Sequence, residues 1–217
     1  MVSLGPGDID LITLKALKAL KASDAICIPT KSADHSFKKS LTHKIVKSLM
    51  QEHDFEKPII PVYTPMYFKK EDWQYQVDVL YNGFETHESL SFVTLGDSAV
   101  YSTVYYLLDI IKVQRPKLYC NAEVIAGVTS FSQASARVKK PLCLGESRFE
   151  IVPLLDNKEV PTTTVYMRPK IGLDTKNIIE RGEMYTFENM NYKEENITSY
   201  KKSKVDKYMT LFIDFIR

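Results

Sequence analysis

The chain has 217 residues, 44% of them hydrophobic and 26% charged, with a formal net charge of +2. That length suits one large domain or two small ones with real cores. The charge is too mild to argue for nucleic acid, no run is long and apolar enough to span a bilayer, and an acidic loop stands where a signal peptide needs its apolar core.

Residues 2–4 read as the end of a strand and run straight into Gly5-Pro6-Gly7-Asp8. Leu11, Ile12, Leu14, Leu17 and Leu20 then give one face of a helix through Lys21. The apolar run AICI, residues 25–28, is a strand closed by Pro29. This strand-helix-strand unit predicts a parallel α/β start. Residues 37–50 form a helix with Leu41, Ile45, Val46 and Leu49 facing inward, and residues 59–62 form a strand broken by Thr64-Pro65. Across 69–87 the chain is polar but keeps Trp73, Val77, Leu80 and Phe84 at helical spacing.

The strand LSFVTL, residues 90–95, runs into Gly96-Asp97-Ser98, and a helix over 101–111 starts near Ser98. Val124 and Ile125 end another strand before Gly127-Val128-Thr129-Ser130, with a helix over 131–138. Strand, small polar corner and helix thus recur three times. After Pro141 the texture changes to strands at 149–154, 163–167, 184–187 and 209–216, with one short helix at 174–179. The expected organisation is an N-terminal α/β domain over 1–140 and a smaller mixed α/β domain over 141–217. The link 152–163 is too short for a helical crossover, so strands on either side of it pair antiparallel if they are neighbours.

In an open parallel sheet, ligands sit outside the carboxyl ends of the strands, and all three corners lie on that edge. The first corner is not a dinucleotide fingerprint, because Asp10 stands where the third glycine would be, and no phosphate loop is present. Each corner has two readings. Asp8 and Asp97 either cap helices or meet a polar ligand. Thr129 and Ser130 either cap a helix or help its N-terminus receive a carboxylate. Cys27, Cys120 and Cys143 lie too far apart for a disulfide framework or zinc signature, so no metal site and a reduced cytoplasmic setting are expected.

Three stretches carry a family resemblance. VSLGPGDIDLITLKA, FVTLGDSAVYST and VIAGVTSFSQASARVKKPLCLG resemble, in order and spacing, segments of the tetrapyrrole (corrin/porphyrin) methyltransferases. The Tyr-Ser-Thr ending and the Ser-Phe after the third corner are most similar to the branch that methylates precorrin-2 at carbon 20. The resemblance implies a two-domain tetrapyrrole methylase-like fold, with an open, mostly parallel sheet plus the smaller mixed domain. It implies S-adenosylmethionine in a cleft, with S-adenosylhomocysteine as product. Pro6, Leu95, Gly96, Asp97, Val100, Ser102, Thr103, Thr129, Ser130, Tyr166 and Met167 are the implied cofactor residues. Asp97 is assigned to a polar end of the cofactor, since a fixed negative charge at the sulfonium would favour the ground state.

Gly7, Asp8, Lys31, Tyr67 and Arg168 are assigned to the substrate, whose eight carboxylates call for cations. Arg137 lies on the third helix, while Lys201, Lys202 and Lys204 read as a solvated surface run. No catalytic residue is singled out among Asp8, Tyr101 and the four histidines. The resemblance also implies a homodimer, and the charge and hydropathy leave no nucleic-acid or membrane partner expected. Alternatives are methylation at carbon 11 or 17 or on uroporphyrinogen III, or a non-catalytic cofactor-binding relative. The sequence departs from the family pattern at Ser98 and Ala126, where proline is usual, and the first of these predicts a less preorganised second loop.

Overall fold

Four strands ending in turn signals, and separated by amphipathic helices, build a parallel sheet: β1 (Val2–Ser3), β2 (Ala25–Thr30), β3 (Ile59–Tyr63) and β4 (Leu90–Thr94), in the order β1-β4-β2-β3. The structure is a computed structural model that describes residues 1–38, 40–65, 69–145, 148–151, 162–167, 169–189 and 193–216. The chain divides into two compact units, Met1–Phe149 and Glu150–Arg217.

Helices α1 (Leu14–Ala22), α2 (Leu41–Glu52), α3 (Lys70–Gly83), α4 (Val104–Gln114), α5 (Pro116–Asn121) and α6 (Ser130–Val138) complete the first unit. Both faces of the sheet are covered, which explains the unbroken apolar run in β2. Ile26 and Ile28 join a core with Leu20, Val46, Leu49 and Val93. Cys27, pointing the other way along the pleat, joins Val62, Val77, Phe92, Val104 and Leu107.

Element starts follow the caps rather than the apolar periodicity. The first helix was expected from Leu11, but residues Ile9–Leu11 form a 3-10 turn capped by Asp8, and the Thr13 hydroxyl caps α1 by accepting from Ala16 N–H at 3.1 Å. Likewise Ser40 accepts from His43 N–H at 3.2 Å, so α2 begins at Leu41 and not at Phe37. The expected helix start near Ser98 moves to Val104, because a turn and a left-handed Tyr101 (φ 50°) come first. β2 runs through Pro29 to Thr30, since its pairing with β4 ends at Cys27 and Pro29 pairs only with β3. The strand expected at Val124 and Ile125 is reduced to a single parallel bridge between Val2 and Ile125.

In the second unit β5 (Thr164–Tyr166), β6 (Glu183–Glu188), β7 (Asn196–Thr198) and β8 (Thr210–Phe215) form an antiparallel sheet in the order β5-β8-β6-β7. The short helix expected at 174–179 is a 3-10 turn at Thr175–Asn177. The strand expected at 149–154 is absent from residues 149–151, and its remainder lies outside the described residues, as does most of the 152–163 link.

The reading of Lys201 and Lys202 as a solvated run is corrected. Lys201 pairs with Glu180 at 2.9 Å, and Lys202 pairs with Glu188 at 2.7 Å. Glu188 is 2% exposed, so it needs this partner. Burial pushes its carboxyl up, but hydrogen bonds from Lys202 and Asn196 and the Lys202 charge outweigh burial and leave its pKa below the ordinary value. A lowered carboxylate pKa stabilises the fold above the unfolded pKa of about 4.3 and loses that contribution as pH falls through the folded value. Thermal melts of the native chain and Glu188→Gln from pH 6 to pH 3 check this. The native chain is expected to be more stable at pH 6, with the gap closing below about pH 4; a gap independent of pH contradicts the assignment.

Candidate functional site: three joined corners

Parallel strands place all their carboxyl ends on one edge. β1 and β4 are neighbours there, and Ile125 bridges to β1. The three corners therefore leave adjacent positions and meet. Leu4 N–H donates to the Thr94 carbonyl at 2.9 Å. Gly5 and Gly96 then exchange both backbone bonds, at 3.1 and 2.8 Å. Gly127 N–H donates to Asp97 Oδ1 at 3.2 Å, linking the second corner to the third.

Glycine is required at these points for different reasons. A Cβ on Gly127 would lie 2.7 Å from Ser3 Cβ and 2.9 Å from the Gly96 carbonyl oxygen, so the corner closes only without a side chain. Gly7 and Gly96 have positive φ, 117° and 76°, and a Cβ on either would meet nothing within 4 Å. Their bare backbone faces open space, a cradle that a side chain would fill and a ligand can approach. Tyr101 is also left-handed and 68% exposed, an uncommon state for a bulky residue.

The polar groups are largely engaged within the corners. Asp97 Oδ1 also accepts from Ala99 N–H at 3.2 Å. Thr129 caps α6 through Ser132, with 2.7 Å between the two hydroxyl oxygens, while Ser130 opens that helix. Ser102 Oγ accepts from Val104 N–H at 3.3 Å and lies 3.4 Å from Thr94 Oγ1. The cap readings of Asp8 and Thr129 are realised, and Asp97 ties loops instead of capping α4. A shallow depression of about 390 Å³ joins Asp8 and Leu11 to Val128, Ser132, Gln133 and Arg137, so the first and third corners share one surface.

Pro6, Leu95, Gly96, Asp97, Val100, Ser102, Thr103, Thr129 and Ser130 thus belong to loops or element ends on one sheet edge. Lys31 follows β2 on the same edge and is exposed. Tyr166 and Met167 belong to the second unit. Tyr67 and Arg168 lie outside the described residues. Cys27 is fully buried, and burial pushes its thiol up to about 12. Among the described residues no group of His, Cys, Asp and Glu could hold a metal ion, and no helix is long and apolar enough to cross a membrane.

Ser3 escaped the sequence reading. It is fully buried, and its Oγ accepts from Ser98 N–H at 2.9 Å. The Ser98 amide is anchored to β1 by a bond that proline could not make. No local signal in the sequence could have found it, because its partner lies 95 residues away.

Residues 1–196 match the family Tetrapyrrole (Corrin/Porphyrin) Methylases. The chain is 27% identical over 180 residues to the "Probable cobalt-precorrin-2 C(20)-methyltransferase" of Methanocaldococcus jannaschii, covering 83% of this chain and 73% of that protein. It is 29% identical over 154 residues to the "Cobalt-precorrin-2 C(20)-methyltransferase" of Salmonella typhimurium, covering 70% of this chain and 61% of that one. Among solved structures, a Corynebacterium diphtheriae protein related to cobalamin synthesis (CobF) shares the fold. It has a TM-score of 0.52 and 11% identity, with 98% of this chain and 95% of that chain covered.

Three substitutions at two positions probe the junction. Gly127→Ala forces backbone and Ser3 apart and is expected to destabilise the chain by about 1–3 kcal/mol. Asp97→Ala leaves two N–H groups without their acceptor and is expected to cost about 1–2 kcal/mol, while Asp97→Asn keeps an oxygen and costs less. Urea unfolding curves check both; an unchanged midpoint for Gly127→Ala, or equal losses for the two Asp97 variants, contradicts the described packing.

Proposed function

The chain belongs to the tetrapyrrole (corrin/porphyrin) methylase family, and from that premise we propose that it transfers a methyl group from S-adenosylmethionine to carbon 20 of precorrin-2 or cobalt-factor II. S-adenosylhomocysteine is the second product. The observation that carries the reading is the junction of three corners at neighbouring strand ends, with bare backbone at Gly7 and Gly96. Support for carbon 20 comes from the two curated relatives, both of which have that position in their names.

S-adenosylmethionine supplies a methyl group already made electrophilic by the sulfonium. The chain's own residues then have to hold and orient. Gly96 offers unobstructed backbone, while the Leu95-Gly96-Asp97 loop, Pro6, Val100, Ser102, Thr103, Thr129 and Ser130 form the proposed cofactor seat. Asp97 serves that seat by tying two loops, so that carbon, methyl and sulfur can be held in line. Assignment of Tyr166 and Met167 to the adenosine rests on the family resemblance.

Gly7, Asp8 and Lys31 are proposed to meet the macrocycle, with Tyr67 and Arg168 assigned by resemblance. Lys31 offers a cation to the acidic arms of the ring. No covalent intermediate on the protein is required. A cytoplasmic homodimer completes the proposal and rests on the same resemblance.

Purified protein incubated with methyl-labelled S-adenosylmethionine and either precorrin-2 or cobalt-factor II tests the reading. The expected result is one labelled methyl on carbon 20, located by carbon NMR of the product. Label on another ring carbon overturns the position, and cofactor binding without transfer to any tetrapyrrole overturns the activity.

A further inference from the structure

We propose that Ser3 is a positioning residue for the cofactor seat, acting through the Ser98 amide and Gly127; the proposal rests on the reading above. The turn after β4 is closed by Val100 N–H donating to the Asp97 carbonyl at 3.1 Å, which puts Ser98 in its second position. Proline is favoured there because its ring presets φ and the turn does not use that residue's N–H. Ser98 lacks the ring, and its N–H points inward. That N–H donates to Ser3 Oγ, 2.9 Å away, with Ser98 1% and Ser3 0% exposed.

The Ser98 hydroxyl does not hold this loop. Ser98 Oγ is buried and has no hydrogen-bond partner among the described residues. Its amide is what couples the loop to β1. Ser3 also donates its own N–H to the Ile125 carbonyl at 3.1 Å, two residues before Gly127. Its Cβ fills the space that a Gly127 side chain would need. One small side chain therefore contacts the second and third corners and stands two residues before the first. Its hydroxyl does the work that a proline ring would do by covalent constraint.

The test is a mutant cycle read by calorimetric titration with S-adenosylhomocysteine. Ser3→Ala keeps Cβ beside Gly127 but orphans the Ser98 amide. It is expected to raise Kd about tenfold. Adding Ser98→Pro removes that amide and presets the turn, and is expected to bring Kd back to within about threefold of the native chain. Rescue by a second substitution is a result that general destabilisation would not give. An unchanged Kd in Ser3→Ala, or no rescue in the double variant, overturns the proposal.

A second readout separates this inference from the cofactor reading. Amide exchange followed by NMR is expected to be at least tenfold faster at Ser98 in Ser3→Ala than in the native chain. If the native chain binds no S-adenosylhomocysteine, the cofactor reading fails and the positioning role falls with it. Unchanged exchange at Ser98 instead overturns the tie itself, whatever the native chain binds.

Discussion

Gly127 has no room for a side chain, because Ser3 and the Gly96 carbonyl stand where one would go. The rest of the candidate site depends on that close approach. It lets Gly127 N–H reach Asp97, keeps the second loop against the first, and seats Thr129 at the start of α6. Each bond is modest alone, of the order of 1 kcal/mol net. Their common effect is to let three loops of separate origin in the chain act as one surface.

The sheet supplies what the loops cannot. Burial of Val2 and Val93 in the core fixes the register in which Ser3 lies beside Thr94. A slip of one residue would turn the Ser3 hydroxyl away from Ser98. The same buried scaffold frees the loops from stabilising the core, so open backbone at Gly7 and Gly96 is tolerated. The site is therefore built on rigid strand ends, the arrangement that orientation-dependent group transfer requires.

The corners were legible because their chemistry is local. Gly5-Pro6-Gly7-Asp8 and Leu95-Gly96-Asp97 carry residues that favour turns, and the apolar runs before them are strands by length and composition. Helix starts were less legible because several residues near each start can cap. Asp8 and Thr13 both do so, and only the tertiary path decides which opens α1. β7 has three residues, too few to show a period. Ser3 was hidden for another reason: its partner lies 95 residues away, and nothing in a small polar residue advertises a contact that the strand register creates. The same holds for Lys202, whose neighbours suggest a surface run while its carboxylate partner is buried 14 residues earlier.

The central claim is that the three corners form one seat for S-adenosylmethionine. Titrating isotope-labelled protein with S-adenosylhomocysteine, and following backbone amide shifts by NMR, tests it most directly. The account predicts that Gly5, Gly96 and Gly127 shift together along a single saturation curve. Saturable shifts confined to other residues, with these three glycines unmoved, would contradict it.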